Sequence, residues 1–164
     1  MRTVRSWTGI AALLVAAGCA AAPRAQRVDA EELNCMARAM YFESHRSSRE
    51  GMIAVGTVVM NRVDSTEFPA TVCGVVGQRN QFAPGVMSRD MNSRSLPLAL
   101  EAAGAVLQGE RHPQVETARF FHAASYRAGY NNMHYVATAG GNAFYEKRPP
   151  AMVTQPVPLP PSGG

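Results

Sequence analysis

Glu43 has a placement that packing alone does not explain in this 164-residue chain. Leu33, Met36, Ala37, Met40 and Tyr41 recur at the i, i+3, i+4, i+7, i+8 spacing of one apolar helical face. Glu43 follows Met36 by seven residues, which at roughly 100° per residue puts it within about 20° of Met36, on the apolar side. A carboxyl group there is expected to be partly desolvated, which disfavours its charged form and raises its pKa toward that of a general acid working near neutral pH. Ala39 and Ser47, one turn to either side, carry no charge, so Arg46 at i+3 is the local cation. A plainer role fits the same spacing: a last-turn residue that faces solvent or pairs with Arg46.

Other chemistry is thinner. A zinc centre would need about three ligands drawn from His45, His112, His122, His134 and acids. No two of these stand as a helical His-Glu-x-x-His pair, so neither metal nor cofactor is expected. No phosphate-binding glycine motif, internal repeat or heptad is found.

The elements that must carry Glu43 are legible in outline. Asp29-Ala30-Glu31-Glu32 has capping-box spacing and starts a helix ending around Ser44 to Arg46. Ser47-Ser48-Arg49-Glu50 repeats the signal before Gly51 to Val63, apolar nearly all round and so a central buried helix. Gly56 inside it implies close packing against a neighbour. Ala70 to Val76 suits one or two helical turns, Gly77 to Ser93 a long functional loop, and Ser95 the cap of a helix over Leu96 to Gln108. In that last helix Ala99, Leu100, Ala103, Val106 and Leu107 are expected inward. Beyond Pro113, Thr117 to His122 and Ala143 to Tyr145 are β-prone, with turn chemistry at Gly129 to Asn132. The expected class is mainly α (α+β): a helical lobe beside a small β-hairpin or irregular lobe, spanning residues 29–148, with a disordered Pro/Gly-rich tail over 149–164.

Residues 1–19 have the build of a secretory signal, with two arginines, a short apolar run, and small residues leading to Cys19. That ending resembles the bacterial lipoprotein processing site, which would leave Cys19 as a lipidated first residue followed by a linker over 20–28. Ordinary cleavage near Ala17 or Ala22 is the alternative. Export to an oxidising periplasm makes Cys35 and Cys73 a candidate disulfide, against the alternative of two buried thiols. A net charge of +4 and a pI near 9.3 suit an anionic wall polymer. Nucleic acid is disfavoured, because the basic residues are scattered and an exported protein rarely meets it.

From Leu33 to Gln81 the chain resembles the bacterial cell-wall hydrolases typified by the spore-cortex-lytic enzyme SleB. The elements that carry the likeness are Tyr41-Phe42-Glu43, Glu50-Gly51, Asn61-Arg62-Val63, Phe68-Pro69, Cys73-Gly74-Val75-Val76 and Gln81-Phe82, in that order. A weaker likeness continues through Phe121-His122-Ala123 to Gly141-Asn142-Ala143-Phe144-Tyr145. The resemblance implies a lysozyme-like domain in which Glu43 is the acid of lytic transglycosylation and peptidoglycan is the partner. It also implies a sugar cleft, to which Gln81, Phe82, His122, Tyr41 and Tyr145 are the candidate contributors, Phe82 by stacking and the others by polar contact. Two departures stand out. Relatives usually continue after the Glu as Ala-Arg-Gly-Glu, where this chain has Ser44-His45-Arg46-Ser47, and they often carry His where Asn142 stands. The alternatives left open are a non-catalytic peptidoglycan-binding lipoprotein and an N-acetylmuramoyl-L-alanine amidase. Oligomeric state is not readable from the sequence.

Overall fold

Side-chain caps set where three of the four α-helices among the described residues begin. The computed structural model describes residues 28–44 and 48–161, so the expected signal segment, Cys19 and His45 to Ser47 lie outside the described residues. Asp29 starts α1 (Ala30–Glu43), its Oδ1 accepting the N–H groups of Glu31 and Glu32 at 2.9 and 3.0 Å. Glu32, placed to close a capping box on α1, instead accepts from the N–H groups of Val72 and Cys73 at 2.7 and 3.3 Å. It thereby caps α3 (Val72–Val76), whose next N–H, that of Gly74, is taken by Thr71. One turn along α1, Cys35 and Cys73 form the expected disulfide, with Cα atoms 5.1 Å apart.

The cap of α2 (Arg49–Val63) falls on Ser48, whose extended backbone lets its hydroxyl accept Gly51 N–H at 3.1 Å. Glu50 lies 3.3 Å from His112 Nε2, and Ser47, the other end of the capping box read from the sequence, lies outside the described residues. From Gly51 to Val59 every residue of α2 is buried. Gly56 is required there because a Cβ would collide with Met40 and crowd Val106, the close packing expected between α2, α1 and α4 (Leu96–Leu107).

Two expectations for α4 need correcting. Ser95 makes no side-chain cap bond, because its hydroxyl pairs with that of Ser93 at 2.7 Å. Leu100 is exposed; the inward face is Ala99, Ala102, Ala103 and Val106, small residues that let α1 and α2 approach.

The β lobe has three strands rather than a single hairpin. β1 (Phe120–Ala123), β2 (Met133–Ala139) and β3 (Asn142–Lys147) form an antiparallel sheet in the order β1-β3-β2. Gly140 and Gly141, both at positive φ, make the two-residue turn joining β2 to β3. A register shift between Tyr135 and Ala137 redirects β2. Met133 and Tyr135 therefore join Ala143, Tyr145 and Phe120 in an outer cluster, while Ala137 and Ala139 enter the main core with Phe144.

Residues 149–161, expected to be disordered, are instead laid along β2. A 3-10 turn at Pro150–Met152 leads into carbonyl groups that accept β2 donors: Tyr135 N–H bonds Gln155 O at 2.9 Å, and Thr138 Oγ1 bonds Leu159 O at 2.7 Å. Proline cannot donate, but its neighbours' carbonyls still cover a strand edge, which the composition did not reveal. No helix among the described residues is long and apolar enough to cross a membrane.

The disulfide closes a separation of 38 residues, for which chain entropy gives about 4 kcal/mol. Cys35→Ser with Cys73→Ser is expected to lower unfolding stability by about that amount in a denaturant titration. An unchanged midpoint would mean the bridge stabilises nothing beyond what Glu32 already holds.

Candidate active site

Glu43 is the last residue of α1 and half-buried. The helix stops at Ser44, whose N–H and hydroxyl both donate to Met40 O, at 3.1 and 2.6 Å. Two long-range bonds then fix Glu43. Its Oε1 accepts Ala83 N–H at 2.5 Å from the long loop, and its main-chain oxygen accepts Asn142 Nδ2 at 2.7 Å from the start of β3. The bond from Ala83 assigns Oε1 as an acceptor and directs any carboxyl proton to Oε2.

That loop is itself held by α1. Arg38 donates to the carbonyls of Val86, at 2.5 Å, and Arg89, while its guanidinium and that of Arg89 lie over Phe42 at 5.9 and 4.5 Å. Tyr41, expected to offer its hydroxyl to substrate, is 1% exposed. Its oxygen accepts Ser93 N–H at 3.0 Å, so it supports the loop's far end and does not reach a cleft. Phe82 is also corrected: it is buried, with its ring 5.4 Å from the Arg62 guanidinium and 6.3 Å from Phe121, and it seals the core beneath the loop. Gln81 is exposed on the same loop, two residues from the N–H that holds Glu43.

Arg62 sits where the two lobes meet, and the sequence reading named it only as part of a motif. It is 4% exposed, donates from Nε to Arg119 O at 2.7 Å, and is ringed by Phe68, Phe82 and Phe120 at 5.1, 5.4 and 5.9 Å. Its buried Nη1 has no hydrogen-bond partner. Burial lowers its pKa to about 10, a shift partly opposed by Tyr145 and Glu43, so it remains cationic at neutral pH. A lone cation at the end of a helix apolar all round was the available signal.

The outer face of the sheet gathers His122, Tyr135 and Tyr145. Ala123 O can only accept, so His122 Nδ1 donates to it at 2.9 Å, while Nε2 is in hydrogen-bond contact with Tyr135 OH at 2.7 Å, a hydroxyl that also lies 3.6 Å from Met133 Sδ. Burial raises the pKa of both tyrosines, keeping them neutral hydrogen-bonding groups. Tyr145 stacks on Phe120 at 5.6 Å and lies 5.6 Å from the His122 ring. The structure thus brings His122 and Tyr145 together.

One concavity, of about 540 Å³, is lined by the loop from Gly77 to Ser88, including Phe82 and Ala83. Another, of about 710 Å³, is lined by residues that include Asn61, Arg119, Phe120 and Lys147. His112 pairs with Glu50, and His134 accepts from the N–H groups of Thr154 and Gln155. Among the described residues, no group of three or more His, Cys, Asp or Glu converges as a metal site.

A family model described as Cell Wall Hydrolase matches residues 46–145. The chain belongs to the cell wall hydrolase family. The matched span holds Arg62, Gln81, Phe82, His122, Asn142 and Tyr145 and begins three residues after Glu43. A spore cortex-lytic enzyme of Oceanobacillus iheyensis is 34% identical over 74 residues, covering 43% of this chain and 27% of that protein. One of Bacillus cereus is 41% identical over 51 residues, covering 31% of this chain and 20% of the relative. The match therefore spans about a quarter of these curated relatives or less. In fold, the chain is similar to the catalytic domain of the germination-specific lytic transglycosylase SleB of Bacillus anthracis. The TM-score is 0.61 at 23% identity, over 74% of this chain and 98% of that one. The catalytic domain of Bacillus cereus SleB gives the same score and identity, over 94% of its length.

Arg62→Met keeps length and apolar contact but removes the buried charge and its unpartnered N–H. The expected outcome for this member of the cell wall hydrolase family is a melting temperature unchanged or raised, and, if the chain has the activity its family name describes, a rate of wall hydrolysis reduced at least about tenfold. Undiminished activity would reduce Arg62 to a strut between lobes.

Proposed function

We propose that the protein cleaves peptidoglycan glycan strands between N-acetylmuramic acid and N-acetylglucosamine as a lytic transglycosylase, with Glu43 as the single acid and base. The observation that carries this reading is the fixing of one half-buried carboxyl group between the two lobes. Ala83 N–H holds one oxygen and Asn142 holds the main chain. Family membership and the fold shared with SleB catalytic domains support it.

In this mechanism Glu43 gives its proton to the bridging oxygen as the glycosidic bond breaks, and N-acetylglucosamine leaves with a free hydroxyl. Positive charge develops at the muramic C1, opposite the newly formed carboxylate. The carboxylate takes the proton of the muramic C6 hydroxyl as that oxygen bonds C1, closing a 1,6-anhydro ring and restoring the acid. One carboxyl group serves both steps. Ala83 N–H stabilises the carboxylate between them, and Arg62 supplies a nearby fixed positive charge. Gln81, His122 and Tyr145 are the proposed substrate contacts, with peptidoglycan met outside the cytoplasm by a protein exported through residues 1–19 and anchored by lipid on Cys19.

Glu43→Gln removes the proton without changing the shape of the side chain. It is expected to abolish release of anhydro-ended muropeptides from purified sacculi, with an unchanged melting curve. Mass spectrometry finding reducing-end sugars would instead mean a muramidase, and free peptides an amidase. No product, with sacculi still bound, would mean a wall-binding protein.

A further inference from the structure

We infer that Asn142 is a positioning residue for Glu43, acting through the β2–β3 turn as a brace across the connection between α1 and α2. This rests on the catalytic reading of Glu43 and adds to it the element that aims the acid. The carbonyls of the last helical turn have no partners within their own helix. Asn142 supplies one to Glu43 O from 99 residues away, and because that carbonyl only accepts, Nδ2 is the atom that faces it. Asn142 is 3% exposed, so water cannot replace the amide without opening the lobe interface.

The other end of the connection is held by the same turn. Gly140, at φ 54°, packs backbone to backbone on Gly51 in the first turn of α2, where a Cβ on either glycine would lie 2.5 Å from the other's Cα. Asn142 therefore fixes where α1 ends and Gly140 fixes where α2 begins. Pairing of Asn142 with Ala123 and Ala139 passes that restraint into all three strands. The carboxyl is then located from two independent sides, by this brace through its backbone and by Ala83 through its side chain. A displacement of about 1 Å in such a group can cost about a hundredfold in rate.

The test compares wild type, Glu43→Gln, Asn142→Ala and Asn142→His on soluble glycan strands, reading kcat and KM separately together with the melting temperature. Asn142→Ala removes the donor and is expected to lower kcat about ten- to a hundredfold with KM within about threefold. Asn142→His restores a ring N–H and is expected to recover most of kcat. Wild-type kcat in Asn142→Ala overturns the inference while leaving the catalytic role of Glu43 intact. A fall in melting temperature with kcat unrecovered in Asn142→His also overturns it, reducing Asn142 to a structural tie. A fully active Glu43→Gln protein overturns both readings.

Discussion

A helix cannot satisfy the carbonyl groups of its own last turn, and in this protein that end is where Glu43, the proposed acid, stands. The rest of the molecule is arranged around that deficit. α1 ends at Ser44, whose N–H and hydroxyl both donate to Met40 O, and Glu43 O is met by Asn142 of β3. Glu43 is thereby held against an element far away in sequence, and the sheet becomes part of the site through a main-chain contact. The long loop answers from the other side with Ala83 N–H, and α1 holds that loop through Arg38 and Tyr41.

Magnitudes separate the interactions that hold this frame from those that decorate it. The exposed bridges from Arg49 to Glu101 and Glu110 involve side chains 40–52% exposed and contribute at most about 1 kcal/mol each. The disulfide contributes about 4 kcal/mol through the unfolded chain, and each fully buried aliphatic or aromatic side chain of the core roughly 1.5–3 kcal/mol. Arg62 runs against that trend. A buried guanidinium with an unpartnered Nη1 costs stability, and its three rings and one carbonyl bond offset the cost only in part.

The helical half was legible because its signals are local. The apolar stripe of α1, the all-round burial of α2, the reason for Gly56 and the pairing of Cys35 with Cys73 follow from periodicity and from the compartment. The β half was read less well. Cap signals at Glu32 and Ser95 marked helix starts, but the Glu32 carboxylate went to the N–H groups of another helix and the Ser95 hydroxyl to that of Ser93, which the capping pattern does not foresee. β2 was missed although Gly140-Gly141 is a strong hairpin signal; its bulge breaks the alternation by which a strand is recognised. Tyr41 looked like a cleft residue because it stands two residues from Glu43, and Phe82 because it lies in the long loop of the family likeness, yet both are buried. Asn142 and Arg62 make their contacts with elements distant in sequence, and only Arg62, a lone cation at the end of an apolar helix, left a signal that could have been read.

The central claim is that one carboxyl group carries both proton transfers while the muramic C6 hydroxyl, and not water, closes the reaction. Digestion of sacculi in water enriched in oxygen-18, followed by mass spectrometry of the muramic end, tests it most directly. The account predicts anhydro ends with no heavy oxygen incorporated, because no water molecule enters the new bond. Muramic ends carrying one heavy oxygen at C1 would contradict it, since water would then be the nucleophile.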